Sequence, residues 1–182
     1  MKSLVVLLSL AVLCAAQPQR PKIPETFYSD YEIERHTNVT IFGMGRIARD
    51  SSKGMGVENS THTNHEMEYV LQRYDQKTEY FITNYNQGRC RFRKVAGGLP
   101  SFWGFLEEAD YAGQKVVRHV TYDVWEFYAA GMRISVAVTP TAPDVPVLLE
   151  RDVAQNLVTF AFRNFKADDP DPSYFNVPPQ CQ

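Results

Sequence analysis

Residues 157–165 read Leu157-Val158-Thr159-Phe160-Ala161-Phe162-Arg163-Asn164-Phe165. Val158, Phe160 and Phe162 alternate with Thr159, Ala161 and Arg163. A two-residue period puts the first set on one face and the second on the other, as in a strand with one buried side. The same reading holds upstream. Met132 to Thr139 carries Ile134, Val136 and Val138, and Val145 to Glu150 adds another apolar run. Lys115 to Tyr128 reads as one long strand with Val116, Val117, Val120, Tyr122, Val124, Trp125 and Phe127.

Working outward, further strands fall at Thr26 to Glu34, Thr37 to Asp50, Glu66 to Tyr74 and Glu79 to Tyr85. Gly43 and Gly45 predict a bulge or bend in the second of these. Asp50-Ser51-Ser52-Lys53-Gly54 and Asn86-Gln87-Gly88 are turn clusters. Arg89-Cys90-Arg91-Phe92-Arg93 alternates strictly, which predicts Cys90 and Phe92 buried and three arginines in water. Leu99 to Ala109 breaks the alternation and reads as a short helix or packed loop. The total is nine or ten strands at hairpin spacing with no strand–helix alternation. The expected fold is all-β, with one or two short helices and antiparallel strands in a sandwich, half-barrel or barrel.

The N-terminus sets the compartment. Met1-Lys2 is followed by an apolar run to Leu13 and by small residues at Cys14-Ala15-Ala16. This is the pattern of a signal peptide spanning 1–16, and the run is too short for a membrane-spanning helix. Residues 17–25 hold three prolines and read as an extended leader outside the core, so the folded domain is 26–182. Removal of Lys2 with the signal takes the net charge from −2 to −3, which gives no case for nucleic acid. Asn38-Val39-Thr40 and Asn59-Ser60-Thr61 are glycosylation sequons. Of the three cysteines, Cys90 and Cys181 remain after the signal. An oxidising compartment favours one bridge between them, the alternatives being free thiols or a bridge between chains.

The C-terminal order is distinctive. Phe160-Ala161-Phe162-Arg163 leads into Asp169-Pro170-Asp171-Pro172-Ser173-Tyr174-Phe175 and a final Pro178-Pro179-Gln180-Cys181. With Leu99-Pro100, Tyr111-x-Gly113, Val124-Trp125, Val138-Thr139 and Pro146-Val147-Leu148-Leu149, this resembles the ependymin-related proteins over roughly residues 26–182. That resemblance implies two stacked antiparallel sheets forming a half-barrel like the bacterial lipoprotein carriers, with an apolar pocket between them. It also implies a secreted or lysosomal glycoprotein, often a homodimer, associated with calcium and with cell–matrix contact. This chain keeps fewer cysteines than the vertebrate members.

The chemistry in the sequence is that of binding. There is no G-x-S-x-G motif and no Gly-rich phosphate loop, so no enzyme is expected. His62, His65 and Glu66 lie close together, but in a stretch that reads as an exposed polar loop. Asp168, Asp169 and Asp171 are the candidate calcium ligands. The aromatic set Phe81, Phe92, Trp103, Phe105, Trp125, Phe127, Phe160 and Phe162 supplies the candidate pocket lining. The expected function is non-enzymatic binding of a hydrophobic or lipid-like small molecule between two sheets. The alternative is a calcium-dependent matrix or adhesion protein acting through its surface.

Overall fold

The computed structural model describes residues 18–84, 88–117, 119–154 and 156–182. The signal peptide, its Cys14 and most of the Asn86-Gln87-Gly88 turn lie outside the described residues. Eleven strands follow in chain order. They are β1 (Phe27–His36), β2 (Thr40–Asp50), β3 (Met55–His62), β4 (Met67–Arg73), β5 (Thr78–Thr83) and β6 (Cys90–Lys94), then β7 (Asp110–Val117), β8 (Val120–Ala129), β9 (Met132–Thr139), β10 (Ala142–Val153) and β11 (Asn156–Lys166). The expected antiparallel all-β fold is what the chain forms. The short helices are single 3-10 turns, one of them at Gly104–Glu107 within the segment expected to be a helix or packed loop. No helix among the described residues is long and apolar enough to cross a membrane.

The strands form one sheet in the order β6-β5-β4-β3-β2-β1-β11-β10-β9-β8-β7. Two meanders, β1 to β6 and β7 to β11, are thus joined edge to edge where β1 pairs with β11, from Tyr28↔Lys166 to His36↔Leu157. The two sheets expected from the sequence are therefore two halves of a single hydrogen-bonded surface. Paired residues share a face, so the register sorts the side chains. Tyr31 and Ile33 pair with Phe162 and Phe160, and Phe160 pairs with Leu149, which pairs with Val136. These belong to the main core, on what we call the inner face. Glu32 and Glu34 pair with Ala161 and Thr159, which pair with Leu148 and Glu150 on the outer face.

Each face has its own cover. Segment 99–109 lies on the inner face, where Trp103, Leu106 and Ala109 are buried with Phe27, Tyr31, Trp125 and Phe162. The Glu25 carboxylate fixes this segment, accepting from the Phe102 and Trp103 amides at 2.9 and 3.0 Å and from the Ser101 hydroxyl. Ile23 is buried in the same cluster, so part of the proline-rich stretch belongs to the core after all. The prolines keep it extended, and an extended chain can still insert one apolar side chain. The tail covers the outer face of β2 to β4, where Phe175 packs on Ala48, Val57 and Leu71. The bridge Cys90–Cys181 forms, with Cα atoms 5.1 Å apart, and ties the end of the tail to edge strand β6.

Several local expectations change. Met55–His62 is a full strand between β2 and β4, although Glu58 to His62 are all polar. The stretch read as one long strand is the β7–β8 hairpin, turning at His119 with φ 67°. Gly43 and Gly45 make no bulge, since β1–β2 register is unbroken there. They are clearance. A Cβ on Gly45 would come within 2.6 Å of Tyr31 Oη, and one on Gly43 within 2.7 Å of His62 Nδ1. Phe92 is 65% exposed, not buried, because β6 is an edge strand that the tail reaches only at Cys90. Its Arg91, Arg93 and Lys94 place charge along an otherwise open edge.

Glu79 on β5 is a buried carboxylate. It accepts from Gln72 Nε2 and Tyr74 Oη, both at 3.1 Å, and from Arg93 Nε at 2.6 Å. Burial alone would raise its pKa, but these hydrogen bonds and the Arg93 charge hold it below the usual 4.5. The folded state thus prefers the anion. The stability this contributes is present above about 4.5 and is lost as pH falls through the lowered folded value. Melting temperatures followed from pH 6 to about pH 3 are expected to fall more steeply for the wild type than for Glu79→Gln. Parallel curves would show that Glu79 does not carry this dependence.

Candidate functional site

The outer face between the tail and edge strand β7 is left open. Here a hollow of about 570 Å³ is lined from β1, β2, β7, β8, β10 and β11. In a flat sheet β2 and β7, six places apart, would be separated by about 29 Å. Residues from both nevertheless line one space, because the sheet twists and coils. The closeness is direct at Lys115 on β7, whose Nζ donates to Glu150 Oε1 on β10 at 2.7 Å across two intervening strands.

Apolar lining residues of the hollow include Phe42, Val117, Tyr122, Leu148, Leu157 and Ala161. Phe42 is 52% exposed, a large apolar group held toward water. The ionisable lining residues each meet a polar neighbour. Arg163 meets Glu32 at 3.0 Å and His36 meets Glu34 at 3.1 Å. Glu150 takes Lys115, Arg133 and Ser135. Burial would raise the Glu150 carboxyl, but the Lys115 hydrogen bond and charge, with Arg133, hold it below its usual value. Apolar walls with self-satisfied charges suit a greasy ligand.

A second, smaller space lies on the inner face, beside the covering segment. It measures about 250 Å³ and its walls include Ile47, Arg49, Glu58, Val70, Phe102 and Arg151. Phe102 reaches both arginines, with the guanidinium carbons of Arg49 and Arg151 at 5.3 and 5.2 Å from its ring centre. Desolvation lowers the pKa of both arginines and raises that of Glu58.

The aromatic residues singled out in the sequence divide. Trp103, Trp125 and Phe162 are buried in the inner core, and Phe105, Phe127 and Phe160 pack against it. Trp103 and Phe105 come from segment 99–109, which packs on the inner face against the other four. Phe81 lies on β5 beneath Arg93, 5.3 Å from its guanidinium carbon, and Phe92 stands at the exposed edge. Of the eight, only Phe162 borders the larger hollow. The residues that floor it were not marked as a site, because Leu148, Leu157 and Ala161 are ordinary strand residues. Only the period of two, carried through the β1–β11–β10 register, puts them on one side.

Asn38 is exposed in the turn between β1 and β2, and Asn59 is exposed on β3 with its Oδ1 accepting from the Arg46 amide at 3.1 Å. Asp168, Asp169 and Asp171 are exposed. Asp171 Oδ1 caps the following 3-10 turn by accepting from the Ser173 amide at 2.8 Å. Among the described residues no three His, Cys, Asp or Glu side chains gather as metal ligands. His62 is buried, not exposed, because β3 turns it inward. Its Nε2 lies 3.1 Å from Ser60 Oγ and 4.0 Å from Glu68. Among the described residues its Nδ1 has no hydrogen-bond partner.

No family model and no curated protein matches the chain. Among solved structures, a LolA superfamily protein from Nitrosomonas europaea is similar with a TM-score of 0.43 and 6% identity, over 87% of this chain and 93% of that one. The Mycobacterium tuberculosis lipoprotein LppX is similar with a TM-score of 0.35 and 10% identity, over 78% of this chain and 89% of that one.

Proposed function

We propose that this chain is a non-enzymatic binder of an apolar or lipid-like small molecule, seated in the outer-face hollow. The observation that carries the reading is a space of about 570 Å³, open on an apolar floor whose rim charges are already paired. That volume lies in the range of small-molecule sites, about 300–1,000 Å³. An apolar ligand would cover Phe42, Leu148 and Leu157 without breaking the Lys115–Glu150 or Arg163–Glu32 pairs. The resemblance to ependymin-related proteins fits the same reading. With it go secretion, glycosylation at Asn38 and Asn59, and an extracellular or lysosomal setting.

Ala161→Trp tests the reading. Ala161 faces the hollow from the middle of β11, so an indole there occupies the floor and leaves the inner core alone. Titration with a fluorescent medium-chain fatty acid is expected to show saturable one-to-one binding by the wild type. Affinity should fall at least about tenfold in the variant, or about 1.4 kcal/mol, with the melting temperature little changed. Equal binding by both proteins, or none by the wild type, would reject the site.

A further inference from the structure

The small inner space has chemistry that the outer hollow lacks. Arg151 projects from β10 on the inner face, packed on two rings, 5.2 Å from the centre of Phe102 and 5.6 Å from Phe160. A guanidinium packed on aromatic rings keeps its N–H edge free for a planar or tetrahedral anion. Among the described residues the Arg151 side chain makes no hydrogen bond, although it lines the cavity. Arg49, across the space on β2, spends Nη1 on Gln72 Oε1 and Nη2 on the Pro100 carbonyl, and leaves Nε buried without a partner. The Arg151 charge disfavours that of Arg49.

Nearby acids balance them only in part. The Glu25 oxygens are taken up by Ser101, Phe102 and Trp103. Glu58 is alone in facing both arginines and is already hydrogen-bonded by Tyr31 Oη at 3.3 Å. Burial pushes its carboxyl up, toward the neutral form. With Glu58 neutral, the Glu25 charge offsets only one of the two guanidiniums, and in either state the Arg151 side chain has no ion pair among the described residues. Unpaired charge in a desolvated site is unfavourable, and a ligand that pairs with it is favoured.

We propose that this cavity is a binding site for a compact oxyanion, a carboxylate or phosphate group, held by Arg151 with Arg49 opposite it. A volume of about 250 Å³ admits such a group with a short apolar segment against Ile47 and Val70. It is too small for a whole lipid. The site lies on the opposite face from the hollow assigned above and does not depend on it.

Calorimetric titration of the full protein after residue 16 tests this with three probes: inorganic phosphate, acetate and octanoate. Saturable binding of at least one is expected. Phosphate or acetate binding marks a free anion, and octanoate alone marks the head of an amphiphile. Arg151→Met keeps the packed stem and should weaken binding at least tenfold, while Arg151→Lys restores part of it. Val70→Phe fills the cavity without touching a charge and should give the same loss, which covers the case of an unfolded Arg151→Met. Ala161→Trp should leave phosphate and acetate affinity unchanged. Octanoate could also enter the outer hollow, so only octanoate binding that Arg151→Met abolishes is assigned here. No saturable binding to the folded wild type, or undiminished binding in both cavity variants, would overturn the proposal.

Discussion

Phe27→Ala is expected to cost about 3–5 kcal/mol of folding stability, the range for removing a fully buried phenyl ring from a core. Phe27 is 0% exposed at the start of β1. Its ring lies 5.7 Å from Phe102 and from Trp103 and 5.1 Å from Phe165, centre to centre. It therefore joins three parts of the chain: the entry to β1, the end of β11 and the segment covering the inner face. The surrounding rings are themselves wedged against Phe162 and Phe105, so the site has little freedom to collapse and a cavity should persist. Urea denaturation gives the cost directly. Near-ultraviolet dichroism should weaken in parallel as Trp103 loses its packing. A loss below about 1 kcal/mol would mean that the covering segment is not seated as described.

Loss of the Cys90–Cys181 bridge is expected to be the other large effect, about 2–5 kcal/mol for Cys181→Ser or for reduction. The loop closed spans 91 residues. Opening it returns conformational freedom to the unfolded chain, and it also frees the end of a proline-rich tail that has no strand to hold it. What then remains includes Phe175, with Tyr174 and Val177, against Ala48, Val57 and Leu71, Arg46 over the Tyr174 ring, and the Arg73 Nη1 bond to the Phe175 carbonyl at 2.9 Å. Melting curves with and without reductant should separate for the wild type and coincide for the variant. Limited proteolysis should clip the tail of the reduced protein first. Identical curves for the reduced and oxidised wild type would contradict this role.

The fold was legible where the side-chain period was strong. Met132–Thr139 is a strand with the bounds read from its sequence, and β11 differs from its reading by one residue at each end. It was illegible where polar groups are buried. β3 reads as a loop because Glu58, Asn59, Ser60, Thr61 and His62 carry no apolar alternation, yet its neighbours satisfy it on both sides. The β7–β8 turn was hidden because it uses His119 at positive φ instead of glycine or asparagine. The bridge was the favoured pairing once Cys14 was set aside with the signal, with free thiols and a bridge between chains as alternatives, and Cys90–Cys181 is the pair that forms. The larger hollow was not legible, because which face of β11 is covered depends on where residues 99–109 return, a contact about 60 residues away. Aromatic content marked the core, while the open side of the same strands carries Thr159 and Ala161.

The most direct test of the account is the location of a bound apolar ligand. Nuclear Overhauser contacts from perdeuterated protein, with protonated methyls, to a saturating medium-chain fatty acid would locate it. The account predicts contacts to the Leu148, Leu157 and Ala161 methyls and none to methyls packed around Trp103 and Trp125. Contacts to the inner-face methyls of Leu106, Val136 and Leu149, with Leu157 and Ala161 silent, would place the ligand among the core aromatics and contradict it.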